Sequence, residues 1–261
     1  GWGPCIFRGD VVRGIDQAAA IGYDAVELHI RDPRAVDVAA LRKLLLARKL
    51  EVSGVATGMT YTMDGLSFAD RDVRVRQEAT ERVRMYIDFC GVFGACVLTG
   101  LVRGRLSDDP TVIQLQKAWI QECTQALDAY AFKQGVVLAL EPINRYETNY
   151  LNRVDEVLEV IATNNLRASG ILLDTFHMNI EETSIEAAIM RAGKRTAYVH
   201  LSDSNRQAPG AGHLNMPSII AALHDGGYDG YLGMEILPLP DPETAARHAL
   251  AVTRRLLSMY G

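Results

Sequence analysis

Residues 136–147 read Val-Val-Leu-Ala-Leu-Glu-Pro-Ile-Asn-Arg-Tyr-Glu, an apolar run that ends in Glu141 and a polar loop. A continuous apolar run of this length is typical of a strand buried on both faces, as in a parallel sheet. A carboxylate at the end of such a strand is costly to bury unless another group pairs with it. We therefore expect Glu141 to have a partner elsewhere in the chain.

Three later apolar runs end in the same way, in an acid or an imidazole: residues 171–173 before Asp174, residues 197–199 before His200, and residues 231–234 before Glu235. In a closed parallel barrel, the C-terminal ends of all strands open on one rim. Four such side chains on four strands could then converge on a single cation.

Strand-like and helix-like segments alternate from Gly9 to Tyr260, which is typical of βα units with a parallel sheet. Seven strands are clear, and only Pro4-Cys5-Ile6-Phe7 is available for an eighth strand before Gly9. A length of 261 residues suits one (β/α)₈ barrel, which needs roughly 250. A doubly wound open sheet would alternate similarly, but no G-x-G-x-x-G follows any strand. We therefore predict an α/β fold, a single barrel domain over residues 1–261 with a short or truncated first strand.

The composition, 48% hydrophobic with a net charge of −5, is that of a soluble globular protein. Mild acidity argues against a nucleic-acid partner, and no run reaches the roughly 18 to 20 apolar residues of a membrane span. Four cysteines form no C-x-x-C pair, which indicates reduced thiols in a cytoplasmic protein: Cys5, Cys90, Cys96 and Cys123. We see no secretory signal, although Gly1-Trp2-Gly3 looks like the start of a trimmed chain.

The residue types at the four strand ends favour a divalent metal. Three carboxylates and one imidazole suit an ion of intermediate hardness, such as Mn²⁺, Co²⁺ or Mg²⁺. A structural zinc site would contain cysteine or more histidine. For any one acid alone, a salt bridge on the rim is the simpler interpretation. The recurrence at matching positions favours the metal.

Three further polar side chains lie on loops that follow the same strands: Glu147, His177 and Arg206. On that rim they could hold a polyhydroxylated ligand. Taken singly, they could equally be a surface glutamate, a histidine at the start of a helix and a solvated arginine, respectively. Three other histidines we interpret as structural or surface residues: His29, His224 and His248.

Three motifs resemble the ketose 3-epimerases of the D-tagatose/D-allulose type, which belong to the xylose isomerase-like TIM-barrel superfamily. The motifs are EPINRYETN at 141–149, LDTFHMNIEE at 173–182 and HLSDSNRQAPG at 200–210. Three shorter segments look most like epimerases of 5-keto-L-gluconate and related keto-sugar acids: residues 7–10, Val26-Glu27 with 31–33, and 100–105.

The resemblance implies metal-dependent 3-epimerisation of a ketose or keto-sugar acid through a cis-enediolate. It implies that one divalent ion, most often Mn²⁺, is bound by Glu141, Asp174, His200 and Glu235. Glu141 and Glu235 would also be the acid–base pair. The O1–O2 end of the substrate would contact Glu147, His177 and Arg206. The resemblance also implies a homo-oligomer, a dimer or tetramer. The first strand of the family is absent or cut short here, so any contact it provides is missing.

A preference for a keto-sugar acid such as 5-keto-gluconate or tagaturonate is expected from the loop Arg103-Gly104-Arg105. Either arginine of this loop, Arg103 or Arg105, could bind a carboxylate bidentately. The alternative is that these arginines only cover the outer rim.

Three other functions use related barrels. An aldose–ketose isomerase of the xylose or hydroxypyruvate isomerase type would move hydrogen between C1 and C2. An endonuclease IV-like phosphodiesterase would need more histidines for a trinuclear zinc cluster and a basic groove. A sugar-binding protein with an inactive site would lack some of the carboxylates. The sequence has neither the extra features of the second nor the losses of the third.

Overall fold

The computed structural model of the protein describes residues 4–260. Within them, seven parallel strands form one sheet in chain order. The strands are β1 (Ala25–His29), β2 (Glu51–Ala56), β3 (Cys96–Thr99), β4 (Leu138–Leu140), β5 (Ser169–Asp174), β6 (Thr196–His200) and β7 (Leu232–Gly233). The sheet curves into a nearly closed barrel with helices outside it, which confirms the predicted barrel.

The α-helices among residues 4–260 are α1 (Val11–Ile21), α2 (Val38–Arg48), α3 (Gly58–Thr62), α4 (Val73–Phe93), α5 (Pro110–Gln134), α6 (Val154–Thr163), α7 (Thr175–Glu181), α8 (Ile185–Ala192), α9 (Met216–Asp225) and α10 (Pro242–Leu257). Aspartates begin many of them because a carboxylate satisfies a free N–H of the first turn. Asp109, for example, accepts a hydrogen bond from Thr111 N, and Pro110 takes the first helical position of α5.

Two large apolar clusters lie between the sheet and the helices. One joins β1–β3 to α1, α2, α4 and α5, and the other joins β5 and β6 to α6, α8 and α9. A smaller cluster, supplied by neighbouring strands, fills the inside of the barrel: Leu98, Ala139, Leu172 and Tyr198. This inner layer closes the barrel below the rim, so any site must lie above it, at the C-terminal ends of the strands.

The sheet is open between β7 and β1 in the part of the chain that the structure describes. Residues 4–10 form no strand there, so the eighth strand predicted at Pro4–Phe7 is absent from those residues, and Gly1–Gly3 lie outside them. Ile6 packs against the cluster that contains Ile236, and Phe7 packs against the core beside α1. Residues 6 and 7 therefore pack against the core through their side chains, and within residues 4–10 the predicted first strand is missing rather than short.

The four cysteines are free thiols, as expected. Among residues 4–260, every helix is too short or too polar to cross a bilayer.

Candidate metal centre

The candidate site is the layer of side chains directly above the inner apolar layer. Successive side chains of a strand point to opposite faces, so a residue two positions further points the same way. Two positions beyond the inner layer on β3 to β6 stand Gly100, Glu141, Asp174 and His200. Glu235 stands two positions beyond Gly233 of β7. The repeat of two therefore aims four potential ligands into one space.

The structure brings Glu141, Asp174, His200 and Glu235 together, with one ligand atom of each lying within 4.8 Å of the others. Asp174 and His200 are almost fully buried, with 1% and 3% of their surface exposed. Three carboxylates this close would repel one another strongly in a buried setting unless positive charge lies among them.

The contacts of His200 indicate whether the site suits a cation. Its Nε2 lies 2.7 Å from Glu27 Oε2 in a hydrogen bond. Its Nδ1 is buried without a hydrogen-bond partner and faces the carboxylates, 3.1 Å from Glu235 Oε2 and 3.5 Å from Asp174 Oδ2. A histidine ligand commonly donates its far N–H to a carboxylate, which leaves the near nitrogen for the metal. The donor set and the unpartnered nitrogen both fit a divalent cation.

Glu27 and His29 on β1 extend the site, and sequence reasoning did not assign them to it. His29 Nε2 lies 3.0 Å from Glu27 Oε1, so Glu27 joins two imidazoles. His29, interpreted from the sequence as structural or surface, contacts Glu27, which in turn contacts His200 of the candidate site. The available signal was the inward position of an acid in the middle of a buried strand, where it needs a partner.

The neighbouring charges favour the ionised forms of Asp174 and His200. Burial alone would raise the pKa of Asp174, but Arg206, His177 and His200 keep that pKa well below its usual range. Burial alone would lower the pKa of the His200 imidazole, whereas Glu27 and Glu235 raise that pKa well above its usual value. Protons and a cation compete for the same atoms, so we expect metal affinity to fall as pH falls.

Arg206, predicted on the loop after β6, reaches the centre of the cluster. Its Nη1 donates to both Asp174 oxygens at 2.6 and 2.7 Å, its Nη2 donates to Glu235, and its guanidinium lies over the Phe176 ring. The loop is fixed by Asp203, which is fully buried and accepts hydrogen bonds from the backbone N–H groups of residues 204, 210 and 214. The loop thereby holds one cationic side chain against two carboxylates.

His177 and Glu147 are also at the site, joined by Asn144. His177 is 4% exposed, and its Nε2 lies 3.6 Å from Glu141 Oε1 and 3.9 Å from Asp174 Oδ2. The Asn144 amide nitrogen lies 2.7 Å from His177 Nδ1 and 3.0 Å from Glu147 Oε1. Sequence reasoning named both outer residues but missed the asparagine between them.

Arg103 lies beneath the rim, and its guanidinium does not project into the space above Glu141. It is 6% exposed, and it donates to the backbone carbonyls of Gly100, Glu141, Tyr150 and Leu151 at 2.7 to 3.2 Å. Burial lowers the pKa of the Arg103 guanidinium, although Glu141 partly offsets that effect. The side chain fixes the loops around Glu141.

Gly100 leaves space for the side chain of Glu141. A Cβ atom built on Gly100 would lie 2.5 Å from Glu141 Oε2 and 2.9 Å from Ile143 Cδ1. Only a glycine leaves room for the carboxylate at this point of the inward-facing layer. The strand β3 thus contributes space to the site, where its neighbours contribute side chains.

Comparison with known proteins places this geometry in context. A family model described as a xylose isomerase-like TIM barrel matches residues 15–256. The chain is 31% identical over 245 residues to an L-ribulose 3-epimerase of Methylomonas sp. (strain DH-1), covering 94% of this chain and 84% of the relative. It is 28% identical over 219 residues to a ketose 3-epimerase of Arthrobacter globiformis, covering 83% and 74%.

Solved structures of sugar epimerases have a similar fold. A D-allulose 3-epimerase from Methylomonas sp. in complex with D-allulose has a TM-score of 0.84 at 27% identity, covering 96% of this chain and 94% of that one. A further relative is a 3-dehydro-D-guloside 4-epimerase of Escherichia coli (strain K12), 30% identical over 146 residues, or 56% of each chain. Sugar epimerases therefore recur among the proteins that this chain is similar to.

Proposed function

Because the chain belongs to the xylose isomerase-like TIM-barrel family, we propose that it is a carbohydrate epimerase that inverts C3 of a ketose or keto-sugar acid. The observation that carries this proposal is the convergence of Glu141, Asp174, His200 and Glu235 within 4.8 Å, with the Nδ1 of His200 left unpartnered among them. We propose these four as the ligands of one divalent metal ion, Mn²⁺ first, with Co²⁺ or Mg²⁺ as alternatives.

Inverting C3 requires the removal of a carbon-bound proton next to a carbonyl and the return of a proton to the opposite face. We assign these proton transfers to Glu141, which directly follows β4, and Glu235, which follows β7, so that the two carboxylates approach the central space from different strands. Each group exchanges the role of base and acid with the direction of reaction, and one such group typically contributes about 10² to 10⁴ in rate. A bound divalent ion supplies electrostatic stabilisation of the negative charge that develops on the substrate oxygens.

The remaining polar side chains hold the substrate in this proposal. Arg206 and His177 present N–H groups to the space between the carboxylates, and Glu147 presents an acceptor at its outer edge. A sugar offers both hydroxyl donors and oxygen acceptors, so a rim with both kinds of partner suits it. We assign Glu147, His177 and Arg206 to the O1–O2 end.

The test uses the Glu141→Gln and Glu235→Gln variants with each C3 epimer in deuterium oxide. With two bases, each variant keeps one base, so it exchanges the C3 hydrogen of one epimer and not of the other, and neither variant gives net epimerisation. The two variants should show opposite preferences. Metal content is measured alongside to separate a lost base from a lost ion. Retained turnover in both variants would contradict the two-base assignment.

NMR analysis of the product identifies which carbon reacts. Deuterium at C3 supports the proposal. With a 2-ketose as substrate, deuterium at C1 or C2 indicates the aldose–ketose isomerase reaction, and deuterium at C4 indicates a reaction nearer to that named for the Escherichia coli relative.

The preference for a keto-sugar acid stays a prediction, and within it Arg105 replaces Arg103 as the side chain to test. Arg103 already donates to four carbonyl groups, whereas Arg105 is exposed and donates through Nη1 to Glu147 O. We expect Arg105→Gln to lower kcat/KM for 5-keto-gluconate and tagaturonate while leaving D-tagatose and D-fructose nearly unchanged. A wild-type preference for the neutral ketoses would defeat this part of the proposal.

The remaining expectations are a homo-oligomer, dimer or tetramer, and a cytoplasmic location. Analytical ultracentrifugation of the metal-loaded protein tests the first.

A further inference from the structure

Asn144 lies at the centre of a hydrogen-bond chain that the proposed reaction does not use. The side chain is 1% exposed. Its Oδ1 accepts a hydrogen bond from Tyr146 N at 2.9 Å. Its Nδ2 lies 3.0 Å from Glu147 Oε1 and 2.7 Å from His177 Nδ1. A single side-chain amide thus contacts three residues: Tyr146, Glu147 and His177.

The contacts fix the orientation of the amide. The Tyr146 backbone N–H can only donate, so the oxygen of Asn144 must face it. The opposite side of the amide is then the NH₂ group, which has two hydrogens. One is donated to Glu147, whose ionised carboxylate can only accept. The other hydrogen is directed at the His177 ring.

The second hydrogen determines the form of His177. Because Nδ1 faces a donor, it must be the bare, accepting nitrogen of the ring, and the hydrogen of the neutral imidazole is then on Nε2. That Nε2 is the atom that points into the candidate site, 3.6 Å from Glu141 Oε1.

We propose that Asn144 is a positioning residue that holds His177 in its Nε2–H tautomer, which makes His177 a hydrogen-bond donor toward an oxygen of the bound sugar. In this arrangement His177 neither takes a proton from the substrate nor accepts from a hydroxyl. It stabilises an oxygen that gains negative charge. The tautomer itself rests on geometry alone, and its use toward a sugar oxygen rests on the proposed function.

The same amide ties Glu147 to this task. Glu147 is exposed, and its Oε1 receives an Asn144 hydrogen. One amide therefore orients an acceptor, the Glu147 carboxylate, and the ring that carries the donor, Nε2 of His177. A sugar with a hydroxyl next to a carbonyl offers one donor and one acceptor to match them.

The experiment reads the tautomer directly, by ¹⁵N NMR of histidine-labelled protein in the metal-free and Mg²⁺-loaded forms. Loss of one signal in the His177→Gln variant assigns His177 among the six histidines of the chain. We expect hydrogen on Nε2 in the wild type. In Asn144→Asp, a group that only accepts replaces the NH₂, so we expect the hydrogen to move to Nδ1. A wild-type spectrum with the hydrogen on Nδ1 overturns the proposal, and so does an Asn144→Asp protein with an unchanged tautomer.

Kinetics separate positioning from a general structural role. A donor that acts on developing charge affects kcat more than KM, so Asn144→Asp should lower kcat on the order of 10²-fold with a smaller change in KM. The control is Asn149→Asp, which adds the same charge to an exposed position of the same loop. It should leave the His177 tautomer in place. If the tautomer is as expected but no ketose is epimerised at C3, the proposed function fails and the assignment of Asn144 stands.

Discussion

The two sides of the rim hold a buried arginine in opposite ways. On the β3–β4 side, Arg103 donates to four backbone carbonyls, one in the segment after β3 and three in the segment between β4 and α6. On the β5–β7 side, Arg206 donates to the carboxylates of Asp174 and Glu235. The first arginine fixes the path of the chain around Glu141, whereas the second balances the negative charge of Asp174 and Glu235.

The two sides of the site therefore have different roles: one positions Glu141, and the other supplies buried charged groups. The β3–β4 side supplies shape: a glycine that leaves room for Glu141 and an arginine that ties down the loops. The β5–β7 side supplies buried charges that face one another. Damage to the first side should therefore lower stability or kcat, and damage to the second should lower metal affinity.

The largest expected effect is on the charged side, from Asp174→Asn. Asp174 is buried and binds Arg206 through both oxygens, so the substitution removes a proposed ligand and leaves the guanidinium without its main partner. We expect Mn²⁺ affinity, measured by calorimetry, to fall by more than the roughly 10- to 100-fold typical of residues outside the ligand set. The surface variant Asp155→Asn should bind Mn²⁺ as the wild type does. Equal affinities for the two variants would remove Asp174 from the metal site.

Next in size is Gly100→Ala on the other side. The added Cβ would lie 2.5 Å from Glu141 Oε2, so the carboxylate has to move. A displacement of about 1 Å at a reacting group can cost on the order of 10²-fold, and we expect kcat to fall by about that factor. Gly91→Ala in α4, whose Cβ would make an ordinary contact of 3.6 Å, is the matched control. Full activity in Gly100→Ala would mean that Glu141 does not need its observed place.

Arg103→Lys should cost about 3 kcal/mol of unfolding free energy, because a lysine cannot keep four hydrogen bonds to carbonyls, and bonds from charged donors are worth about 1.5 to 3 kcal/mol each. Urea unfolding measures the change, with exposed Arg105→Lys as the control. A stable Arg103→Lys protein that discriminates less between sugar acids and neutral ketoses would instead return Arg103 to the substrate-binding role expected from sequence.

The smallest effect concerns acid stability and the loop that holds Arg206. Burial alone would raise the pKa of Asp203, but hydrogen bonds from the N–H groups of residues 214, 204, 212 and 210 lower it. A lowered pKa in the folded protein stabilises it above the unfolded value, and that contribution is lost as pH falls through the folded pKa. Asp203→Asn should therefore cost about 1 to 2 kcal/mol near neutral pH.

The difference in unfolding free energy between the wild type and Asp203→Asn should become smaller as pH falls below the ordinary aspartate pKa of about 3.9. Unfolding curves from pH 7 to pH 3 measure it, with exposed Asp225→Asn as the control. A gap that does not change with pH would contradict the assignment of this contribution to the ionised carboxylate.

The sequence alone was enough for the parts of the site that follow from strand periodicity. Apolar runs that end in Glu141, Asp174 and His200 predict buried parallel strands, and parallel strands bring their ends to one rim. Nothing in the pattern shows which way a loop side chain turns, and for this reason Arg103 and Arg206 looked alike although one turns beneath the rim. Glu27 was quoted only as part of a resembling segment and was not assigned to the site, because β1 continues past it and no strand end marked it.

The open seam between β7 and β1 has a consequence for how the wall of the barrel is held. In a closed barrel, shared backbone hydrogen bonds fix the circumference. Here, within residues 4–260, the His200 ring lies between the two edges, hydrogen-bonded to Glu27 of β1 through Nε2 and with Nδ1 3.1 Å from the carboxylate of Glu235, which follows β7. Side chains around a single imidazole therefore bring β1 close to the residues after β7 at this seam, where a closed barrel would use backbone hydrogen bonds.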